Sequence, residues 1–591
     1  MLVYCLRGFV DLKLWLRRKT RGALALASVL VLFISMVAFT LLPVPPAQAT
    51  QLYQWKDAQG RVHYSDQPPP SSVKNATPKN FKGNFIKRGE PSTTKRASER
   101  SPIRAFASPP ISAPVSPVPV RRQNVAGRQV VVTVLSWYSP IGALNGSKWW
   151  SQAGYGYQGA KASNGVKNYP LTPAISLPIQ EPQVGSGEFY TLQYQAALED
   201  LRQMRMAGFD VAAFDMLPMP AFNPEKPLDS TNAPFTHYET FLRWLKAGEA
   251  VGMKVALFAD IKNQSADYPN GYVLDVKEWV STLGGALDNL RQSPALWRLD
   301  GRPVIIHFGT DMSSGAPPMK GDDKPDGGWR YVLKTLRDSG RSFYFIADVR
   351  PPLFAGAPEW SHIADATHMF APASPASFMT GKQTEMSTSF KVPYMWSVSP
   401  GYYNSAVNAY TEPDFHRIHE TYLAAMKAGA KLINVMTWND FGEDTDIAPS
   451  ANKGRALLDI FSFYNDWFKS GVQPAVKEDE VILAYPARIP TNVHTRSPIY
   501  GLGKWVAPEF TPKVFYWANI KTGRKLEVVG VGQVNLPSGL SMGELGLATP
   551  QPIRVNLGGY SMQLPLIRKI SDERQQKEAG GLEYRYVIMK P

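Results

Sequence analysis

Lys431-Leu432-Ile433-Asn434-Val435-Met436-Thr437-Trp438-Asn439-Asp440-Phe441-Gly442-Glu443-Asp444 reads as a short apolar run that empties into a loop of carboxylates, aromatic rings and one glycine. A parallel barrel builds its active site from such units, because the C-terminal ends of its strands open on a common mouth. Working back along the chain, seven further β-branched or aromatic runs precede this one, at 130–137, 209–215, 254–260, 302–308, 342–348, 365–370 and 392–399. Stretches with apolar residues at three- and four-residue spacing separate them, clearest at 192–207, 237–251, 276–291 and 412–428. Strand and helix patterns in alternation predict the α/β class, with a (β/α)8 TIM barrel over residues 128–474. An open doubly wound sheet would carry a glycine-rich nucleotide turn after a strand, and the sequence has none.

Beyond the barrel, residues 475–591 lose the helical period and show alternating runs at 514–518, 525–529 and 584–589, which predict a β-sandwich-like domain. Before the barrel the chain is different again. Residues 1–49 carry basic side chains (Arg17, Arg18, Lys19, Arg21), an apolar run at 23–44 and then Ala47-Gln48-Ala49, the small-x-small form of a signal-peptidase site. Export to the periplasm or beyond is the expectation. The apolar run is also long enough to span a bilayer, so retention as an inner-membrane anchor stays open beside cleavage. Residues 50–70 hold two short alternating runs, Leu52-Tyr53-Gln54-Trp55-Lys56 and Arg61-Val62-His63-Tyr64-Ser65, around Asp57-Ala58-Gln59-Gly60, which predicts a β-hairpin module. With Asp66 and Pro68-Pro69-Pro70 the segment resembles the small envelope domain classed as domain-of-unknown-function family 4124. Residues 71–127, rich in Pro, Ser, Lys and Arg, bury too little apolar surface to offset ordering and are expected to be a linker.

A formal charge of +15 suggests nucleic acid at first sight. Six Lys/Arg against one Asp fall within residues 1–49, however, so +10 remains, spread through linker and surface. That distribution excludes a phosphate-binding stripe. The single cysteine, Cys5, lies ahead of the apolar run, so no disulfide forms within the exported part and stability rests on the core. No metal or other cofactor is expected: Asp322-Asp323-Lys324-Pro325-Asp326-Gly327 has the composition of a calcium loop without its alternate spacing or terminal Glu. Asp440-Phe441-Gly442 spells a kinase tripeptide without the phosphate loop or lysine that would give it meaning.

The residues at the predicted strand ends are acidic and aromatic. Asp210 and Asp215 belong to the second strand, Asp260 to the third, His307 to the fourth, and Trp438, Asn439, Asp440 and Glu443 follow the eighth. Glycosidic cleavage needs one carboxylic acid to protonate the leaving oxygen and a second carboxylate as base or nucleophile, with aromatic rings against the sugar faces. Asp440, Glu443 and Asp210 are the catalytic candidates. Trp438, Asn439, Asp215, Asp260, His307 and Tyr402 are candidates for holding substrate, as are Trp137, Tyr138, Trp149 and Trp150 of a long first loop. A polysaccharide is the expected partner of a monomeric protein, and a glycan-binding protein without catalysis is the rival reading.

The segment from Val435 to Pro449 resembles the TWNDYGES…IGP segment of glycoside hydrolase family 71, the endo-α-1,3-glucanases. Ala207-Gly208-Phe209-Asp210 is similar to that family's AxGID strand, Val398-Ser399-Pro400-Gly401-Tyr402-Tyr403 to its VSPWFF turn, and residues 479–486 to the start of its C-terminal β domain. The resemblance implies an inverting barrel hydrolase acting on an α-glucan, with Asp440 and Glu443 as catalytic acids and Asp210 assisting. It leaves open which of the two is acid and which is base. Asp300-Gly301-Arg302-Pro303-Val304 resembles a segment of family 99, whose members cut α-mannosides, and makes that family the competing expectation.

Overall fold

The computed structural model describes residues 127–136, 187–216, 237–260, 276–308, 328–349, 363–372, 374, 376–404, 409–490, 496–497, 505–506, 513–547, 553–564, 568–570 and 583–591, together with three strands at 52–56, 62–65 and 77–79. The chain divides into two compact units, Met1–Ala107 and Ser108–Pro591. Within the first, Leu52–Lys56 pairs antiparallel with Val62–Ser65, as the alternating runs predict. Thr77–Lys79 adds a third strand on the other edge of Leu52–Lys56, inside the stretch expected to be linker. Pro78 is compatible with that place, since an edge strand need not donate from every residue.

The second unit contains a closed barrel. Its strands are β1 Gln129–Leu135, β2 Val211–Met216, β3 Lys254–Ala259, β4 Arg302–His307, β5 Tyr344–Asp348, β6 Ala366–His368, β7 Tyr394–Val398 and β8 Leu432–Val435. Each pairs in parallel with the next, β8 pairs with β1, and β3 pairs with β4 through Leu257–Ile305, so no edge is left open. The helices α1 Gly187–Met206, α2 His237–Val251, α3 Val276–Asn289, α4 Gly328–Asp338, α5 Ala376–Ser389, α6 Phe415–Lys427 and α7 Ala456–Ser470 follow every strand but β5 among the described residues. Helix α6 begins three residues later than its apolar spacing suggests. The cause is Asp414, whose carboxylate accepts from the His416 N–H and caps the first turn, directly after Pro413.

Alternation along the strands decides which side chains reach the interior. Phe214 packs outward on Phe241 and Trp244 of α2, with ring centroids 5.8 and 5.6 Å away, so its neighbour Asp215 faces inward. Phe258 of β3 meets His368 and Phe370, at and just past the end of β6, at 6.1 and 5.9 Å. Two strands intervene on that side of the sheet, so this contact crosses the barrel interior.

After α7 the chain forms two further sheets. Glu480–Pro490, Lys513–Ile520, Gly539–Leu547, Arg568–Ile570 and Glu583–Met589 make one of five strands, and Arg524–Val528, Gly532–Leu536, Ile553–Leu557 and Tyr560–Leu564 make one of four. Val481, Leu483, Tyr485, Val514 and Tyr516 point between the two sheets, against Leu526, Val528, Ile553, Val555 and Leu557. Their in-between neighbours Ile482, Ala484, Phe515 and Trp517 join the hydrophobic core of the barrel, together with Tyr584 and Tyr586. Both faces of the five-stranded sheet therefore contribute to a hydrophobic core. Among the described residues no helix is long and apolar enough to cross a membrane.

Candidate active site

The loop after β8 is held as a closed turn at the C-terminal end of the barrel. Met436 N–H donates to Val398 O at 2.8 Å and Trp438 N–H to Thr133 O at 2.7 Å, which tie the loop to β7 and β1. The Asp440 carboxylate oxygen Oδ1 accepts from the N–H groups of Gly442 (3.1 Å) and Glu443 (3.0 Å), while the Asp440 N–H donates to Thr437 Oγ1 at 2.9 Å. Glu443 emerges from this turn half-buried; Tyr402, after β7, donates its hydroxyl to Glu443 Oε1 at 2.8 Å.

Asp215 reaches the same mouth from the end of β2 and is 4% exposed. Burial pushes its carboxyl well above the usual aspartate range, and the charges of Asp260 and Asp440 beside it push in the same direction. Asp440 is raised as well, first by burial and then by the charge of Glu443, with its two backbone hydrogen bonds opposing. Four carboxyl groups thus crowd one opening. Beside them the Phe370 ring meets Phe308 at 5.0 Å and Phe258 at 5.9 Å, an aromatic wall in which Phe258 is level with Asp215. His368 lies against Phe258 with Nε2 2.9 Å from His307 O, and Asp348 Oδ1 accepts from Phe370 N–H at 2.8 Å.

Asp440, Glu443, Asp215, Asp260 and Tyr402 are therefore gathered, and Asp210 is not. Asp210 precedes β2, at the opposite end of the barrel, about five residues or roughly 17 Å of strand away from Asp215. There its Oδ2 accepts from Val130 N–H at 2.8 Å and its Oδ1 pairs with Lys469 Nζ at 2.6 Å. This corrects its assignment as a catalytic residue: the strand begins one residue after it. Asp210→Asn is expected to leave any activity intact and to cost about 1 kcal/mol of stability, the scale of a partly exposed ion pair. Urea unfolding of the variant measures this, and lost turnover at unchanged stability would contradict it.

Three proposed substrate contacts are corrected as well. Trp438 is fully buried, its side chain hydrogen-bonded to Asp200 of α1, whose carboxyl burial pushes up to about 7. Asn439 bonds the backbone of Leu135 at both ends of its amide, Oδ1 to N–H at 2.8 Å and Nδ2 to O at 3.0 Å, and so extends the β1–β8 seam. His307 faces outward, its ring 4.0 Å from Trp329 of α4. Its neighbour Phe308 takes the inward place. Trp137, Tyr138, Trp149 and Trp150 lie outside the described residues. Asp300-Gly301, which invites comparison with α-mannosidases, forms the turn of a hairpin between Arg298–Leu299 and β4, both residues with positive φ (49° and 74°). That turn leads into the N-terminal end of β4, away from the carboxylates, and bears on the fold rather than on a sugar.

Sequence reasoning passed over His368, Phe258 and Lys453. Inward parity identifies the first two, once the register of β3 and β6 is known. Among the described residues no group of three or more His, Cys, Asp or Glu side chains has a metal-holding arrangement.

The raised carboxyl of Asp215 has a consequence for stability. Because its folded-state proton affinity exceeds that of an unfolded aspartate, near 3.8, the native state holds the extra proton. Its stability contribution is intact below that value and is lost as pH rises through the folded one. Asp215→Asn should therefore stabilise the protein by about 1–2 kcal/mol near neutral pH and change little near pH 4. Thermal unfolding at both pH values checks this; equal shifts would show that charge is not the cause.

Known proteins resemble parts of this chain. Residues 38–119 match the family model described as Domain of unknown function (DUF4124), a stretch wider than the hairpin. No curated protein matches. Among solved structures, the GH99 endo-alpha-mannosidase from Bacteroides thetaiotaomicron is 15% identical, with 58% of this chain and 98% of that one covered and a TM-score of 0.38. A glycoside hydrolase-like protein is 14% identical, covering 59% and 96%, with a TM-score of 0.37. A modular endo-beta-1,4-mannanase from Cellulomonas fimi is 14% identical, covering 63% and 89%, with a TM-score of 0.31. Likeness at this level says nothing about substrate, and family 71 is not among these three structures.

Proposed function

We propose that the barrel is a glycoside hydrolase that works outside the cytoplasm on a polysaccharide, an α-glucan being the first substrate to try. The observation that carries this reading is the convergence of Asp215, Asp440 and Glu443 at the C-terminal mouth beside an aromatic wall. Glycosidic cleavage asks for two carboxyl groups in unlike settings. Buried Asp215 and Asp440 retain protons to higher pH and suit the donor to the leaving oxygen, whereas Glu443, half-open to water and accepting from Tyr402, suits the ionised partner. The strand-eight resemblance to family 71 supports an α-glucan and an inverting course; the basic and apolar residues 1–49 support export.

The decisive experiment incubates the purified chain from residue 50 with α-glucans, α-mannans and bacterial exopolysaccharides and measures new reducing ends. Release from an α-1,3-glucan, with the product anomer inverted by NMR, is the expected result. Release from a mannan alone would replace the substrate and keep the mechanism. Tight glycan binding with no release from any of them would overturn the enzyme reading in favour of a binding protein.

A further inference from the structure

Lys453 lies in the turn between the strand-eight loop and α7, and its side chain is 2% exposed. A buried ammonium needs partners. Four oxygens surround this one: Asp444 O at 2.8 Å, Asp444 Oδ1 at 3.0 Å, Asp446 O at 3.0 Å and Asp446 Oδ1 at 2.8 Å. They come from the residue directly after Glu443 and from the residue two further on. Asp444 is held at φ 56°, a left-handed conformation that side chains with a Cβ rarely adopt. The same limb is tied back to the strand by Thr445 N–H to Asp440 O at 3.2 Å and by the Thr437 and Thr445 hydroxyls at 3.0 Å.

We propose that Lys453 is a positioning residue for Glu443: its ammonium fixes the return limb of the strand-eight loop and so sets where that carboxylate stands over the mouth. The inference rests on the assignment of Glu443 to the chemistry. Removing the ammonium leaves fully buried Asp446, partly exposed Asp444 and two carbonyl oxygens facing one another, with Tyr586 close enough to feel both carboxylates. The limb must then open, and Glu443 moves with it. The neighbouring Asn452 O accepts from Tyr586 N–H at 2.9 Å, so the last strand of the C-terminal sheet braces the same turn from the other side.

The test is Lys453→Met in the otherwise complete chain, read in two ways. Hydrogen–deuterium exchange of peptides covering 437–446 should accelerate by about tenfold or more, with β1 and β2 unchanged, as for a local opening. On any glycan that the wild type cleaves, kcat should fall by about a hundredfold with KM within about threefold, the signature of a misplaced group rather than lost binding. Lys453→Arg should recover part of that loss. Should Lys453→Met fail to fold, Asp446→Asn weakens the same tie while keeping the lysine buried against an oxygen, and should shift both readouts in the same direction by a smaller factor. Unchanged loop exchange overturns the proposal, and so does a lowered melting temperature with kcat unaltered. If the wild type cleaves no glycan, the proposed function fails while the exchange measurement still decides whether Lys453 sets the loop.

Discussion

Glu443→Gln is expected to lower turnover by about a hundredfold or more on whichever glycan the wild type cleaves, the usual scale for loss of a general acid or base. The amide keeps the size of the side chain and can still accept from Tyr402, so the loop should keep its shape. Only the charge is lost. Asp440→Asn should be at least as damaging to turnover, although an asparagine oxygen can still cap the N–H groups of Gly442 and Glu443. Both variants should melt within a few degrees of the wild type, since neither removes a core side chain. Initial rates with reducing-end detection, beside thermal unfolding, make the measurement. Near-full activity in both variants would move the chemistry to other carboxyls at the mouth, Asp215 and Asp260 first.

The second large effect lies far from the mouth. Trp517→Ala should destabilise the protein by about 3–5 kcal/mol, the usual cost of truncating a buried aromatic side chain. Trp517 is 1% exposed and meets Phe463 of α7 edge-on at 5.5 Å, within the core shared by the barrel and the five-stranded sheet. Deleting the chain from 476 onward removes Ile482, Ala484, Phe515, Tyr584 and Tyr586 from that core at the same time and should leave an insoluble product. Solubility after expression and urea unfolding of the point variant decide the matter. A soluble, cooperatively melting barrel without its last 116 residues would show that α6 and α7 tolerate exposure.

Much of the architecture was legible because eight apolar runs alternate with helical spacing, and a closed barrel buries such runs on both sides without the glycine-rich turn of a doubly wound sheet. The strand-eight loop was legible for a related reason: carboxylates directly after an apolar run must emerge at the strand's C-terminal end. Facing was not legible. A strand buried on both sides has no polar–apolar alternation, so nothing in the sequence distinguishes inward Asp215 from outward Phe214, or inward Phe308 from outward His307. Asp210 shows how much a single boundary matters, since one residue separates a place at the floor of the barrel from a place in its wall. Trp438 and Asn439 lie in the same motif as Asp440, yet the first is spent on packing against α1 and the second on the backbone of β1. Composition alone could not divide those tasks.

The five-stranded sheet, packed on both faces, also governs how the protein can be made smaller. A sheet with one face in water can be lost or exchanged during evolution at modest cost, as an appended module often is. This sheet instead acts as a middle layer, and each face supports a different part of the molecule. Shortening from the carboxy end would strip the outer wall of α6 and α7 before it reached anything dispensable. A minimal working protein is to be sought by trimming the amino end, within the first unit, Met1–Ala107.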